Sequence, residues 1–410
     1  MIRAARAYCA VANKPVTAEG ARRLLLQLYT AALKAVDGRV ATRTALQRAG
    51  LATSVSVFAI GKAAAAMTHG AYEHLQSRLQ SALVITRPGY TGDVQTIPRA
   101  QWLEAAHPVP DASTLAAGEA LMREVKTLAP ETLPLFLISG GASSLVEVLR
   151  PGVGLEDLRR CNQQGLSSGI AIEALNAQRA ALSMIKGGGL AALLAGRQAM
   201  ALFISDVPGD DPDVIGSGLM GRAPRGDAVR RHVIGSGDMA RRAAVAAAVN
   251  LGLRAEECAP RFDSDAEVVA RCCVEAAHVS AAELLAWCGE STVRLPGNPG
   301  RGGRNQQLAL AAALSMEKRS MQASQDSDYF LLAAGTDGSD GNSDDAGAIV
   351  DAGSCARMRA ARIDPQRALR SADAGSALAA SQDLINTGPT GTNVGDLVMT
   401  LRARITPGVV

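Results

Sequence analysis

Two patterns of apolar positions divide the chain into strands and helices. Short apolar runs that end at glycine-rich turns predict buried strands over residues 55–60, 82–86, 133–138, 199–204 and 329–334. Apolar positions at helical spacing predict helices over residues 18–37, 114–129, 155–169, 171–186, 238–251 and 264–287, and from about residue 305 onward. Because strands and helices alternate, the chain is predicted to have an α/β fold.

The turn after the predicted strand 133–138 carries the most informative chemistry. It contains Ser139, Gly140 and Gly141, followed by Ser143 and Ser144. Ligands of open α/β sheets bind at the carboxyl ends of strands, and backbone N–H groups near glycine can converge on an anion there. The turn therefore predicts a phosphate-binding site. The alternative is that glycine is needed only for steric reasons.

Charged residues follow two other predicted strands. Lys62 comes two residues after the strand 55–60, at the start of a helix, where a cation is unfavourable unless an anion neutralises it. Asp206 follows the strand 199–204 and begins an aspartate-rich loop that includes Asp211. Mg²⁺ prefers such carboxylates together with phosphate oxygens, so both aspartates are candidate ligands. The alternatives are an exposed lysine and an ordinary polar turn.

Further candidates lie on loops and helix ends. Arg304 follows a glycine-rich loop, where an arginine favours recognition of a carboxylate or a phosphate. His107 lies in a proline-rich loop, as either a site residue or a packed one. Asn176 and Arg179 share one face of a predicted helix. The glycines that follow this helix, including Gly187 and Gly188, indicate a helix end and a close backbone approach.

Composition limits the classes of function. A length of 410 residues favours two domains, and 48% apolar with 20% charged residues can form a buried core. A net charge of +3 with 3% aromatic residues argues against binding to nucleic acid or a membrane surface. Seven scattered cysteines without zinc-ligand spacing favour a reducing compartment. With neither a signal peptide nor a spanning apolar run visible, we expect a cytoplasmic location.

Eight motifs, in order, resemble the glycerate 2-kinase family. The five that resemble its N-terminal domain are IGKAA (60–64), HPVPD (107–111), SGGASSL (139–145), IKGGGLA (185–191) and ISDVPGDD (204–211). Those that resemble its C-terminal MOFRL domain are GNPGRGGRNQQLALAAAL (297–314), AAGTDGSDGNSDDAGA (333–348) and GPTGTNVGDL (388–397). Some members of the family are named hydroxypyruvate reductases.

The resemblance implies ATP-dependent phosphorylation of D-glycerate at O2, with Mg²⁺, giving 2-phosphoglycerate and ADP. It implies a Rossmann-like α/β/α sandwich over residues 1–245, a smaller α/β domain over 246–410, a boundary within 225–290, and an active site in the cleft between them. The resemblance is compatible with a homodimer.

The resemblance also implies roles for the candidate residues. Lys62 and Arg304 would face the substrate and the transferred phosphoryl group, and Asp206 would help to hold the metal and the nucleotide phosphates. The nucleotide phosphates would lie at Ser139, Gly140, Gly141, Ser143, Ser144, Gly187 and Gly188. The cleft would be lined by His107, Asn176, Arg179, Asp337 and Asn393. Either Asp206 or Asp337 would accept the hydroxyl proton.

The chain departs from the family pattern at Ala142, Leu219, Met220 and Cys288, which raises the question of an altered substrate or activity. One alternative is an NAD(P)H-dependent hydroxypyruvate reductase. It would require a G-x-G-x-x-G fingerprint after a strand and an acidic residue about 20 positions later, and no clean example occurs. The other alternative is a non-catalytic protein of the same fold that binds sugar acids.

Overall fold

The computed structural model describes residues 17–91, 97–168, 172–321 and 328–405. The chain forms two compact units. The first unit contains residues 36–236 and 391–394, and the second contains residues 1–35, 237–390 and 395–410. None of the helices in the described ranges is long and apolar enough to cross a membrane.

The first unit is built on a six-stranded parallel sheet. Its strands, in chain order, are β1 (Val55–Ile60), β2 (Leu79–Thr86), β3 (Ala100–Glu104), β4 (Leu133–Ile138), β5 (Ala199–Ser205) and β6 (Val229–Ser236). The spatial order is β3-β2-β1-β4-β5-β6, and every neighbouring pair is parallel. This is the order of doubly wound dinucleotide-binding folds, which confirms the prediction of a Rossmann-like unit.

One helix of the first unit precedes its first strand, and the others lie between its strands along the chain. They are α2 (Gly38–Ala49), α3 (Ala64–Leu75), α4 (Ala112–Lys126), α5 (Ala142–Leu145), α6 (Leu155–Ser168), α7 (Ile172–Leu182) and α8 (Gly189–Ala192). All six residues of β1 and all but the first of β4 are buried. Continuous apolar runs are typical of central parallel strands, because both faces of such strands are covered.

The second unit is built on a mixed sheet. Its strands are β7 (Ala255–Glu257), β8 (Leu284–Gly289), β9 (Asp328–Gly335), β10 (Gly347–Asp351), β11 (Leu384–Ile385) and β12 (Asp396–Ala403). The spatial order is β11-β10-β9-β12-β8-β7, in which β7 and β8 are parallel and the other neighbours are antiparallel. Its helices are α1 (Ala18–Ala35), α9 (Gly237–Asn250), α10 (Ala266–Val279), α11 (Arg304–Ser320), α12 (Ser354–Ala360), α13 (Pro365–Arg370) and α14 (Ala374–Ala380).

The N-terminal helix belongs to the second unit, in contrast to the expected division at residues 245 and 246. Helix α1 packs against α9, and its buried Tyr29 hydroxyl donates to the Gly335 carbonyl (2.6 Å) at the end of β9. Arg22 of the same helix donates to the Ile349 carbonyl in β10 (2.8 Å).

The ends of two predicted helices differ most from the structure. The segment 264–287 contains α10 and then β8, because Ser280 ends the helix and the apolar run Leu284–Gly289 pairs with β12 in the middle of the sheet. Helix α7 ends at Leu182 instead of residue 186. Strands β3 and β6 were not predicted, because their polar residues interrupt the apolar pattern.

Helix α4 lies against the backbone of Glu147 at Gly118. A Cβ atom on residue 118 would lie 1.9 Å from the Glu147 carbonyl oxygen. We therefore expect Gly118→Ala to lower the free energy of unfolding by about 1–3 kcal/mol in urea denaturation, as overpacking does. Gly297→Ala is the control, since no atom lies within 4 Å of its Cβ position. Equal midpoints for both variants would contradict this close approach.

Candidate functional site

The turns after β1 and β4 are joined by backbone hydrogen bonds. The Ser139 N–H donates to the Ile60 carbonyl (3.0 Å), and the Lys62 N–H donates to the Gly140 carbonyl (3.0 Å). The Ala63 N–H donates to the Ser139 hydroxyl oxygen (3.0 Å), and Ser139 is fully buried. The Ser139 side chain therefore holds the two turns together.

Gly141 lies beside two of the predicted site residues. It begins α5 with φ of +86°, a left-handed conformation that favours glycine. A Cβ atom on residue 141 would lie 3.1 Å from Cδ2 and Nε2 of His107 and 3.4 Å from Cγ of Lys62. The structure thus brings the His107 ring and the Lys62 side chain to the turn after β4.

Gly140 lies against a carboxylate and an amide. A Cβ atom on residue 140 would lie 1.9 Å from Nδ2 of Asn393 and 2.0 Å from Oδ2 of Asp206. The Asn393 amide donates to the same Asp206 oxygen (3.1 Å). Although Asn393 was expected to contribute from the C-terminal domain, it belongs to the first unit, where the Gly38 N–H donates to the Gly391 carbonyl (3.2 Å).

A chain of hydroxyl and amide groups continues from α5. The hydroxyl oxygens of Ser143 and Ser217 are 2.6 Å apart, and the Ser217 hydroxyl donates to the Asn176 side-chain oxygen (3.0 Å). Because Ser217 uses its proton on Asn176, Ser143 is the donor in the first of these bonds. Ser144, one position further, is half-buried, and its N–H donates to the Gly141 carbonyl (3.1 Å). The turn after β4 is thereby linked to α7.

The predicted glycines at 187 and 188 make contacts within the protein. The Gly187 N–H donates to the Ser217 carbonyl (3.0 Å), and the Gly188 N–H donates to the Gly218 carbonyl (2.7 Å). A Cβ atom on residue 188 would lie 2.2 Å from the Arg222 carbonyl oxygen. These glycines therefore allow the close backbone approach that was predicted, and in this structure their N–H groups bind carbonyl groups.

A buried ion pair between Glu147 and Lys186 was not recognised in the sequence. The Lys186 ammonium lies 2.6 Å from a Glu147 oxygen, and both side chains are almost completely buried. The Ser183 hydroxyl donates to the other Glu147 oxygen (2.5 Å). Burial lowers the pKa of Lys186 and also that of Arg179, while the Glu147 charge opposes both shifts. The available signal was a glutamate inside the apolar run that follows the Ser143 turn.

Asp211 occupies a different kind of position from Asp206. It is exposed, and its carboxylate accepts the Asp213 N–H (2.9 Å) within the same loop. No group of three or more histidine, cysteine, aspartate or glutamate side chains in the described ranges could hold a metal ion. Asp206, which is half-buried beside Gly140, has the more restricted environment of the two aspartates.

Arg304 and Asp337 belong to the second unit. The Arg304 guanidinium donates through Nη1 and Nη2 to the two Glu290 oxygens (3.2 Å each), and Nη2 is 3.3 Å from Oδ2 of Asp396. The negative charge of Asp396 is the main cause of the raised pKa of Arg304. Asp337 is buried, and its carboxylate accepts the Ser339 N–H (3.0 Å).

Asp340 satisfies the N-terminus of α11. Its carboxylate oxygens accept the N–H groups of Asn305 (3.1 Å) and Gln306 (2.8 Å), which are two of the donors that a helix start leaves without a helical partner. Burial, with a contribution from Asp396, raises the pKa of Asp340 to about 7. The helix start behind Arg304 is therefore occupied by a carboxylate of the protein.

The four departures from the family pattern are buried. Leu219 and Met220 are fully buried in the core of the first unit. The Ala142 methyl group is also buried, 3.3 Å from the place where a Cβ atom on Gly216 would lie. The Cys288 thiol, in the second unit, donates to Asp238 (3.5 Å). Their side chains thus fill the interior of each unit.

Polar side chains gathered at the carboxyl edge of a doubly wound parallel sheet are typical of α/β proteins that bind phosphorylated ligands. The protein-family model described as "Domain of unknown function (DUF4147)" matches residues 24–250, and the model of the MOFRL family matches residues 283–396. The D-glycerate 2-kinase of Thermotoga maritima is 32% identical over 93% of this chain and 99% of its own length. The chain therefore belongs to the glycerate 2-kinase family.

Other relatives agree on the fold and differ in name. The crystal structure of a glycerate kinase from Thermotoga maritima matches with a TM-score of 0.81 at 32% identity, covering 93% of this chain and 99% of that one. The glycerate 2-kinase of Pyrococcus horikoshii is 28% identical over 85% of this chain and 87% of its own. A relative from Agrobacterium vitis is provisionally named a hydroxypyruvate reductase. It is 34% identical over 92% of this chain and 93% of its own length.

The buried ion pair predicts a non-additive effect on stability. Lys186→Met leaves the Glu147 carboxylate buried without its cation, and should lower the free energy of unfolding by about 3–5 kcal/mol. The double variant Lys186→Met/Glu147→Gln should recover part of this loss, because the unpaired charge is removed. Urea denaturation of both single variants and the double variant measures the coupling.

Arg159→Met is the matched control for that experiment. Its partner Glu156 is exposed (2.6 Å between Nη1 and Oε1), so we expect a loss of less than about 1 kcal/mol. If the effects of Lys186→Met and Glu147→Gln simply add, the pair is not coupled and our interpretation is wrong.

Proposed function

We propose that this protein is an ATP-dependent kinase that transfers a phosphoryl group to O2 of D-glycerate, giving 2-phosphoglycerate and ADP. The observation that carries the proposal is the placement of Lys62, Asp206 and Asn393 around the Gly140-Gly141 turn. Similarity to D-glycerate 2-kinase over nearly the whole chain supports the same conclusion. Phosphoryl transfer depends mainly on alignment and on stabilisation of negative charge, and these residues supply both.

The turn after β4 suits a phosphate chain. The absence of side chains at Gly140 and Gly141 lets polar side chains approach this turn closely, and Lys62 beside Gly141 provides a positive charge for an anion. His107 lies on the same side of Gly141 and can donate a hydrogen bond to a phosphate or a substrate oxygen. In the second unit, the planar guanidinium of Arg304 suits the carboxylate of a small hydroxy acid.

Asp206 is the best candidate for holding Mg²⁺. Mg²⁺ usually keeps several waters and takes one or two carboxylates together with substrate phosphates. The Asp206 carboxylate is a hard oxygen donor that lies beside the glycine turn, and the Asn393 amide nitrogen donates to one of its oxygens (3.1 Å), which helps to orient it. When bound there, the ion would neutralise charge on the nucleotide phosphates.

A carboxylate must accept the proton of the attacking hydroxyl group. Asp337 is the candidate for this role if Asp206 is committed to the metal. The Ser339 N–H and hydroxyl both bond to one Asp337 oxygen (3.0 and 3.3 Å), which fixes the orientation of the carboxylate. A fixed orientation favours proton transfer along a defined direction.

The reductase hypothesis has one structural argument in its favour. The strand order of the first unit is that of dinucleotide-binding folds. However, β1 is followed by Gly61-Lys62-Ala63-Ala64, which lacks the second and third glycines of the fingerprint. A lysine in this turn suits the terminal phosphates of a nucleoside triphosphate better than a dinucleotide.

Activity measurements distinguish the hypotheses. We expect ADP release in the presence of D-glycerate, ATP and Mg²⁺, with the product phosphate on O2 by ³¹P NMR, and no NADH oxidation with hydroxypyruvate. Lys62→Ala should reduce the rate by about 100-fold or more, as loss of one charge-stabilising group does. Lys126→Ala, which removes an exposed lysine of α4, should retain the wild-type rate.

The opposite outcomes are equally clear. NADH oxidation without ADP release would establish the reductase hypothesis. No activity in either assay would favour the non-catalytic binding protein. A near-normal rate for Lys62→Ala would contradict the proposed role of Lys62 in stabilising the transferred phosphoryl group.

The metal requirement separates the roles of the aspartates. We expect Asp206→Asn to raise the Mg²⁺ concentration for half-maximal rate by about 10–100-fold, as changes at metal sites do. Asp337→Asn should lower kcat without changing this concentration. Asp211→Asn, at an exposed loop position, should leave both unchanged. If Asp211→Asn changed the Mg²⁺ requirement, the metal ligand would be Asp211 and our assignment to Asp206 would be wrong.

A further inference from the structure

Arg304 is held by two carboxylates of different character. Glu290 receives a parallel pair of hydrogen bonds from Nη1 and Nη2 (3.2 Å each), and Asp396 approaches Nη2 to 3.3 Å. The first arrangement is the bidentate geometry in which arginine binds a carboxylate ligand. The second is an ion-pair contact, in which Oδ2 of Asp396 is buried beside the guanidinium without a hydrogen-bond partner among the described residues.

The two carboxylates differ in how firmly the fold holds them. Asp396 is the first residue of β12, where it pairs with Gly289 of β8 and Gly335 of β9, and its side chain is 4% exposed. Glu290 follows the last residue of β8, and its side chain is 44% exposed. Asp396 is thus fixed on both sides by the sheet, whereas Glu290 can leave the guanidinium for water at little cost.

The surroundings of Asp396 make Arg304 its principal counter-ion. Burial raises the pKa of Asp396 to about 6, with further increases from Glu290 and Asp337, while Arg304 acts in the opposite direction. The Asn305 amide also donates to Asp396, whereas the Asp396 charge raises the pKa of buried Asp340. The Tyr29 hydroxyl, on α1, is held by the Gly335 carbonyl (2.6 Å). Arg304 therefore supplies the positive charge that offsets the carboxylates around Asp396.

We propose that Asp396 is a positioning residue that fixes the Arg304 guanidinium, and that Glu290 is an exchangeable partner whose place is taken by the substrate carboxylate. This proposal rests on the proposed function, since D-glycerate is the ligand that brings the carboxylate. A ligand carboxylate and Glu290 need the same two donors, so only one of them binds at a time. Asp396 keeps its contact with Nη2 in both cases.

The two carboxylates should therefore respond differently to neutralisation. Asp396→Asn should lower kcat/KM for D-glycerate by about 100-fold, the effect expected when a binding group is displaced by about 1 Å. The KM for ATP should change less than the KM for D-glycerate, because the proposal assigns the paired donors of Arg304 to the D-glycerate carboxylate. Glu290→Gln should leave the KM for D-glycerate unchanged or lower it, because a competing charge is removed.

Asp383→Asn is the matched control. Asp383 is a buried aspartate of the same unit that pairs with arginine, 2.8 Å from Nη2 of Arg357 and 2.6 Å from Nη2 of Arg22. Its loss should destabilise the fold by a similar mechanism and leave kcat/KM for D-glycerate unchanged. Steady-state kinetics of the full chain, with circular dichroism to confirm folding, compares the variants.

The outcomes distinguish this proposal from the proposed function. Wild-type protein without kinase activity would reject the function itself. With an active wild type, a normal kcat/KM for Asp396→Asn would overturn the positioning role, as would an equal loss for Asp383→Asn. If Asp396→Asn fails to fold, Glu290→Gln still decides the exchange, since a raised KM for D-glycerate there would show that Glu290 supports the substrate instead of competing with it.

Discussion

The first unit depends on a close approach of backbone and side chains at the turn after β4. Gly140 leaves room for Asp206 and Asn393, and Gly141 leaves room for His107 and Lys62. A side chain at either position would displace the groups on that side of the turn. The hydroxyl of buried Ser139 completes the arrangement by accepting the Ala63 N–H. Backbone geometry at two glycines therefore determines which functional groups can meet at this edge of the sheet.

Buried carboxylates have separate uses in the two units. Glu147 holds Lys186 beside the glycines that contact Ser217 and Gly218, so its charge is used to fix a turn. Asp340 closes the N-terminus of α11, and Asp396 approaches the guanidinium of Arg304. In each case a group that is costly to bury is stabilised by a cation or by backbone N–H groups. The helix start and the arginine of the second unit are thus organised before any ligand arrives.

The sequence predicted where β1, β4 and β5 end, because apolar runs followed by glycine have a direct structural meaning. The approach of Lys62 and Asp206 to the turn after β4 follows from the adjacent, parallel arrangement of these three strands, whereas His107 reaches that turn from the loop after the edge strand β3. Long-range contacts were not predictable in this way. Periodicity contains no information that α1 packs in the second unit or that Lys186 meets Glu147. Strand β8 was mistaken for helix, because a short buried apolar run fits both periods.

The division of the chain has a consequence for its synthesis. The chain passes between the units at residues 35–36, 236–237, 390–391 and 394–395. The carboxylate of Asp206 receives a hydrogen bond from Asn393, which lies 187 residues further along the chain and leaves the ribosome correspondingly later. Vectorial folding from the N-terminus can therefore assemble the parallel sheet early, but this edge of it waits for a distant segment. A nascent chain halted before residue 391 would have the sheet and lack the finished edge.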